Sequence, residues 1–75
     1  MNNNIECFVL CENIKKLRKN NSLTKSEMAK LLGIGRKSLD LLEHNIIPKR
    51  LSCNVITNIH KNFGILPKDI FTTLI

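Results

Sequence analysis

Two adjacent basic residues, Arg36 and Lys37, begin a short segment whose apolar residues have helical spacing. Guanidinium and ammonium groups donate hydrogen bonds to phosphate oxygens and to the acceptors on the major-groove edge of guanine. Leu39 and Leu42, three positions apart, would face a core on the opposite side. The pattern predicts a helix from about Arg36 to Glu43 that presents positive charge on one side.

The positive charge of the chain is concentrated in its middle. The net charge is +6, and residues 12–50 hold ten basic side chains against four acidic ones, whereas the rest of the chain is neutral. A basic region between neutral ends is typical of a protein that binds a polyanion, although solvated helix faces also carry lysines. Charge therefore favours nucleic-acid binding, with a solvated surface as the alternative.

Composition excludes several classes of protein. The 75 residues make one small domain. No apolar run approaches the roughly 18 residues that a membrane-spanning helix needs, and the first residues, MNNNIE, do not resemble a signal peptide. Three cysteines fit reduced thiols, and with the two histidines they match no zinc spacing. We expect a cytoplasmic protein without membrane contact, metal or cofactor.

Catalytic patterns are missing as well. No nucleophile and base stand at a recognisable spacing, and no glycine-rich loop could hold a phosphate. His60 is expected to be partly buried and hydrogen-bonded in a helix rather than a ligand or a catalyst. The chain is therefore predicted not to be an enzyme.

The segment before the basic helix has a well-defined helix start. Thr24 can accept a hydrogen bond from the amide of Glu27 while the Glu27 side chain reaches back to Thr24, which is a capping box. Gly33 stands where the end of a helix favours a left-handed residue. A helix is therefore predicted to begin at Lys25 and to turn into the next helix at Gly33.

Three more helices are predicted around this pair. The first runs from about residue 12 to residue 20, and residues 1–11 form either an arm or an extension of this helix, with residues 5–10 as a possible strand. Ser52 can cap a fourth helix that ends near Gly64. Pro67 begins a short fifth helix.

Two short helices joined by a glycine turn form a helix-turn-helix, whose second helix can enter the major groove of DNA. Counting Lys25 as the first position, the fifth needs a small residue and the ninth a turn residue, and Ala29 and Gly33 occupy them. Three further positions need apolar side chains that hold the pair against the core, and they are occupied by Ile34, Leu39 and Leu42.

The stretch TKSEMAKLLGIGRKSLDLLEHN, residues 24–45, resembles the helix-turn-helix of the lambda-repressor-like, Xre/Cro-type DNA-binding family. The similarity extends from residues 14–23 to residues 58–71. It implies an all-α fold, a compact bundle of five helices with a central helix-turn-helix in residues 12–75. It also implies a homodimer that binds operator DNA.

The resemblance assigns DNA contacts to particular residues. Lys25 matches the first position of the family's second helix, where the side chain reaches the DNA backbone or a base edge. Arg36, Lys37 and Ser38 match the outward start of the recognition helix, so Arg36 or Lys37 is expected to meet guanine or phosphate and Ser38 to meet phosphate. For Arg36 and Lys37 the alternative is a solvated face.

Arg18 and Glu43 match a pair that commonly forms a salt bridge between the first and third helices of the family. Such a bridge would orient the recognition helix. The alternative is an ordinary surface pair, worth less than about 1 kcal/mol.

Two residues of the predicted recognition helix depart from the family pattern. Asp40 would repel phosphate unless it accepts a hydrogen bond from cytosine N4 or pairs with Arg36, four residues earlier. Leu41 replaces a commonly polar or basic residue, so it would have to contact a thymine methyl group or a protein partner. Both residues remain candidate DNA contacts.

The loop after this helix departs from the pattern too. Ile46 and Ile47 stand where the family often has basic phosphate contacts, and Lys49 and Arg50 could take over that role. We therefore expect a sequence-specific regulator of transcription, a repressor, that binds double-stranded DNA as a dimer. The alternative is a protein-interaction module on the same fold, such as a toxin-neutralising antitoxin, and it gains support if Leu41, Ile46 and Ile47 form an exposed patch.

Overall fold

The computed structural model describes the backbone of residues 4–48 and 54–75, and these two ranges contain five helices and no strand. The helices are α1 (Asn4–Asn20), α2 (Lys25–Leu32), α3 (Arg36–Glu43), α4 (Asn54–Phe63) and α5 (Pro67–Thr72). The predicted all-α, five-helix fold is therefore confirmed. Ser52, the predicted cap of the fourth helix, lies outside the described residues.

Helix α1 begins eight residues before residue 12. Its end at Asn20 agrees with the prediction. Residues 4–11 are helical, which agrees with the alternative of a helix extension, and the alternative of a strand is wrong. The helix extends because Leu10 and Ile14, four residues apart, continue one buried stripe with Leu17. After the helix, Ser22 adopts a left-handed conformation with φ of 54°.

Helix α2 has both of its predicted ends. Thr24 Oγ1 accepts from the Glu27 amide at 3.1 Å, and the Thr24 amide donates to Glu27 Oε1 at 2.8 Å, which confirms the capping box. Gly33 ends the helix with φ of 75°, a region in which only glycine is free of strain. The chain then enters α3 at Arg36, as the sequence predicts.

One core joins the five helices. Helix α1 packs against α3 and α5, and α2 packs against α3 and α4. Every helix contributes fully buried apolar side chains, which include Leu10, Ile14, Met28, Leu32, Leu39, Leu42, Ile59 and Ile70. Because both α2 and α3 contribute to this core, the helix-turn-helix is held as part of the bundle.

A buried asparagine ties α1 to the last residues of the chain. Asn13 Nδ2 donates to the carbonyls of Ile70 and Thr73, each at 2.9 Å, and Asn13 Oδ1 accepts from the amide of Ile75 at 3.0 Å. Buried polar groups are costly unless they are hydrogen-bonded, and here the amide satisfies three backbone groups. Asn13 therefore fixes the C-terminal residues 73–75 on α1.

The prediction of a partly buried His60 is wrong, because the structure exposes this side chain. Val55 and Ile59, four residues apart, hold the core-facing side of α4. His60 is turned by about 100° from Ile59 around the helix axis, which carries it away from the core. Within the described ranges, no helix has the length and apolar character to cross a membrane.

Candidate nucleic-acid interface

Helix α3 separates an apolar face from a basic one. Leu39 and Leu42 are fully buried, whereas Arg36 and Lys37, on the first turn, are exposed and Ser38 is partly exposed. The N-cap residue, Gly35, makes no side-chain hydrogen bond to the first turn. The start of α3 therefore offers two cations together with helix amides that no side chain caps, an arrangement suited to anionic groups.

An ion pair joins the far end of α3 to α1. Arg18 Nε lies 2.5 Å from Glu43 Oε2, and Arg18 Nη2 lies 3.0 Å from Oε1 of the same carboxylate. The third nitrogen, Nη1, donates to the carbonyl of Leu23 at 3.2 Å. The hydrogen bond to Glu43 raises the pKa of Arg18 above its usual value. This two-point contact fixes both the position and the orientation of α3 relative to α1.

A second ion pair joins the start of α2 to the middle of α3. Lys25 Nζ lies 2.7 Å from Asp40 Oδ1, and both side chains are partly exposed. The hydrogen bond and the charge of Lys25 hold the pKa of Asp40 below its usual value, which is itself low enough for the carboxylate to be ionised at neutral pH. Asp40 was expected to pair with Arg36 or with a base. In the structure Asp40 pairs with Lys25 and not with Arg36, because the turn at Gly33 brings α2 and α3 into contact, and the contact with a base stays a prediction.

Comparison with known families identifies the fold around this surface. The family model described as "Helix-turn-helix domain" matches residues 11–73, which is most of the chain. The chain belongs to the helix-turn-helix domain family. The match confirms the resemblance to the lambda-repressor-like, Xre-type domains. No curated protein and no solved structure gave a significant match in the other two comparisons.

A helix-turn-helix domain is a unit with which regulators bind DNA, and in this one α2 and α3 are the two helices of the motif. The predicted contact residues Lys25, Arg36, Lys37 and Ser38 all lie at the starts of these helices. Lys49 and Arg50, the other two predicted phosphate contacts, lie outside the described residues, so their role stays a prediction.

An apolar patch borders the helix-turn-helix on its C-terminal side. We call Leu41, Ile46 and Ile47 the 41–47 patch. All three side chains are exposed, and half of the Ile46 surface is accessible. The Ile46 amide donates to the Leu41 carbonyl at 2.9 Å, which folds the loop back against the end of α3. Asn45 permits this turn by adopting a positive φ of 63°.

Two asparagines of α4 stabilise the turn of the helix-turn-helix, and the sequence interpretation missed them. Asn58 Nδ2 donates to the carbonyl of Leu32 at 2.9 Å, and Asn62 Nδ2 donates to the carbonyl of Leu31 at 3.2 Å. These carbonyls belong to the last turn of α2, where helical partners are absent. The signal available in the sequence was the spacing of two asparagines by four residues on one helix, but it does not indicate which carbonyls they reach.

The described part of the helix-turn-helix domain offers little to a small molecule or a metal. No cavity was found there, and no group of three or more histidine, cysteine or acidic residues stands close enough to hold a metal ion. Cys7 and Cys11, the two cysteines whose surroundings are described, are free thiols. Families of this kind are typically not enzymatic.

Proposed function

We propose that this chain is a sequence-specific regulator of transcription that binds double-stranded DNA by inserting α3 into the major groove, and that it acts as a repressor. The observation that carries the proposal is the first turn of α3, where Arg36 and Lys37 are exposed while Leu39 and Leu42 are buried behind them. Repression by occupancy of a promoter requires only such a DNA-binding surface.

Each group on this surface has a role that follows from its chemistry. Arg36 and Lys37 donate to guanine O6 and N7 or to phosphate, and Ser38 donates to phosphate. The uncapped amides at the start of α3 add a site for a phosphate oxygen. Lys25, together with Lys49 and Arg50, contributes further positive charge along the DNA backbone.

The protein binds DNA as a homodimer in this proposal, because one domain of this size makes few contacts. Two recognition helices would then read half-sites about one helical turn apart. Exposed apolar side chains near the two ends of the chain, Phe8, Leu74 and Ile75, are available for the dimer contact. Sedimentation at high micromolar concentration tests this contact, and a monomer there would contradict it.

Selection from a random duplex library, at about 50 and 200 mM salt, tests the proposal. The variants are Arg36→Ala with Lys37→Ala and, as a matched control, Lys61→Ala with Lys68→Ala. The control removes two exposed lysines from α4 and α5. An enriched palindromic motif that the first variant loses and the control keeps would support α3 as the reader. Weak binding without a motif, shared by all three proteins, would contradict the proposal.

The 41–47 patch favours a second candidate function, that of a protein-interaction module on the same fold, such as a toxin-neutralising antitoxin. Leu41, Ile46 and Ile47 are exposed beside the proposed DNA surface, where the family often has polar or basic residues. The test is a partner protein that copurifies with the chain and is lost from an Ile46→Ser, Ile47→Ser variant. Such a result, combined with no enriched DNA motif, would replace the regulator by this second function.

A further inference from the structure

The Lys25–Asp40 ion pair lies in the middle of the proposed DNA surface. Lys25 is the first residue of α2, and Asp40 is four residues after Arg36 on α3, so it projects from the same side of that helix. Among the described residues, Lys25 is the ion-pair partner closest to Asp40, with Nζ at 2.7 Å from Oδ1. The ring nitrogen Nδ1 of His44 lies farther away, at 4.0 Å from Asp40 Oδ1. The negatively charged carboxylate of Asp40 therefore lies on the surface that is proposed to bind DNA, which is itself negatively charged.

We propose that Lys25 positions Asp40 as a base-reading acceptor that selects cytosine in the major groove. The inference rests on the proposed function, since it assumes that α3 enters the groove. Lys25 is a positioning residue here, and Asp40 is the residue that contacts the base. The pair would make binding more selective at the expense of one direct lysine contact with phosphate.

The choice of cytosine follows from the hydrogen-bonding groups that each base presents. An ionised carboxylate accepts hydrogen bonds and cannot donate them. In the major groove, guanine presents two acceptors and thymine one, adenine presents an acceptor beside its amino group, and cytosine presents the N4 amino group as a donor. Asp40 is ionised at neutral pH, as an aspartate ordinarily is, and Lys25 lowers its pKa further. The carboxylate therefore favours cytosine and disfavours guanine and thymine at the position it faces.

The ion pair also explains how an acidic residue can be accommodated near phosphates. An unpaired carboxylate would be repelled by the DNA backbone at every sequence. Lys25 offsets this repulsion, but its ammonium group is then directed at Asp40 rather than at a phosphate. The sequence-independent part of the affinity should fall accordingly, and with it the salt dependence of binding.

The competing explanation is that the pair only links α2 to α3. A structural link affects folding stability and leaves base preference alone, so base preference is the decisive readout. Selection from a random duplex library compares the wild-type chain with Asp40→Ala. The matched control is Glu12→Ala, which removes the carboxylate of another lysine pair, Glu12–Lys15 at 3.3 Å on α1.

We expect the wild-type motif to contain a cytosine at one position of each half-site. In Asp40→Ala that preference should fall by on the order of tenfold, as for the loss of one base contact, while the other positions stay unchanged. Because Lys25 is released toward phosphate, the slope of log K against log salt should steepen by about 0.9. Glu12→Ala should keep the wild-type motif.

A second variant, Lys25→Met, separates positioning from reading. It leaves Asp40 without the group that positions it, so binding to every sequence should weaken and the cytosine preference should fall as well, whereas an unchanged preference would show that Lys25 does not position Asp40. Thermal unfolding of each variant verifies that the domain is folded. A motif that Asp40→Ala leaves intact at every position would overturn the inference and leave the proposed function standing. A wild-type chain that enriches no motif would instead overturn the proposed function, and the inference with it.

Discussion

Arg18 of α1 donates two hydrogen bonds to the carboxylate of Glu43, the last residue of α3, from Nε to Oε2 at 2.5 Å and from Nη2 to Oε1 at 3.0 Å. The Glu43 side chain is only 5% exposed, so its negative charge is compensated by Arg18 rather than by water. The two residues are separated by 25 positions in the chain. The orientation of α3 is therefore controlled from a helix outside the helix-turn-helix.

Replacing Arg18 should destabilise the fold. In Arg18→Met the Glu43 carboxylate stays buried without its partner, and we expect the free energy of unfolding to fall by about 2–4 kcal/mol. Urea unfolding measures this loss. In the double variant Arg18→Met, Glu43→Leu both charges are absent, so part of the loss should be recovered. The exposed Lys16→Met on the same helix is the control, and a loss in that variant equal to the loss in Arg18→Met would contradict the role of the ion pair.

Asn13 should be essential for holding the end of the chain. Asn13→Ala removes the donor to the carbonyls of Ile70 and Thr73 and the acceptor for the Ile75 amide. We expect a loss of about 2–3 kcal/mol in unfolding free energy, since buried groups lose their partners. Hydrogen exchange should show faster exchange at the Ile75 amide than in the exposed control Asn20→Ala. An unchanged exchange rate at Ile75 would rule out this anchoring.

The two left-handed glycines should differ in their tolerance of a methyl group. Gly64 has φ of 72° and open space around it, so Gly64→Ala should cost about 1–2 kcal/mol from backbone strain. Gly33 has a similar φ of 75°, but an added Cβ would lie 3.0 Å from Asn58 Nδ2. Gly33→Ala should therefore cost more than Gly64→Ala. Denaturant unfolding measures the free energy of unfolding of both variants. Equal losses would contradict this prediction and would show that Asn58 moves aside without an energetic penalty.

The thiol of Cys11 should be unreactive and should make the fold sensitive to alkaline pH. Burial, followed by the proximity of Cys7 and Glu12, raises the pKa of Cys11 to about 11. Alkylation at pH 8, followed by peptide mass mapping, should label the less buried Cys7 before Cys11. Equal labelling of the two thiols would contradict the burial of Cys11.

The pH dependence follows from the direction of this shift. The unfolded chain releases the thiol proton near the ordinary value of 9.0, whereas the folded chain keeps it up to about pH 11. The stabilisation is complete below pH 9 and is lost as the pH rises through this window. Urea unfolding at several pH values should therefore show a steeper alkaline loss in the wild-type chain than in Cys11→Ala, which lacks the titrating group. Parallel curves would contradict the shifted pKa.

The helix-turn-helix itself was predictable because its boundaries depend on near neighbours in the chain. The capping box joins Thr24 to Glu27, three residues away, and the left-handed turn needs a glycine at Gly33. The spacing of Leu39 and Leu42 assigns one face of α3 to the core. The start of α1 was left open between an arm, a strand and a helix extension, because the apolar residues before position 12 fit all three until the core they enter is known.

The sequence by itself determined the all-α class, the start and end of α2, the bounds of α3 and the basic character of its first turn, because these depend on residues three or four positions apart. The tertiary structure alone decided which distant groups Lys25, Asn58 and Asn13 meet. Lys25 reaches Asp40 across 15 positions, Asn58 reaches Leu32 across 26 and Asn13 reaches Ile75 across 62. No local pattern encodes such pairs, since they form only when the shared core brings separate helices into contact.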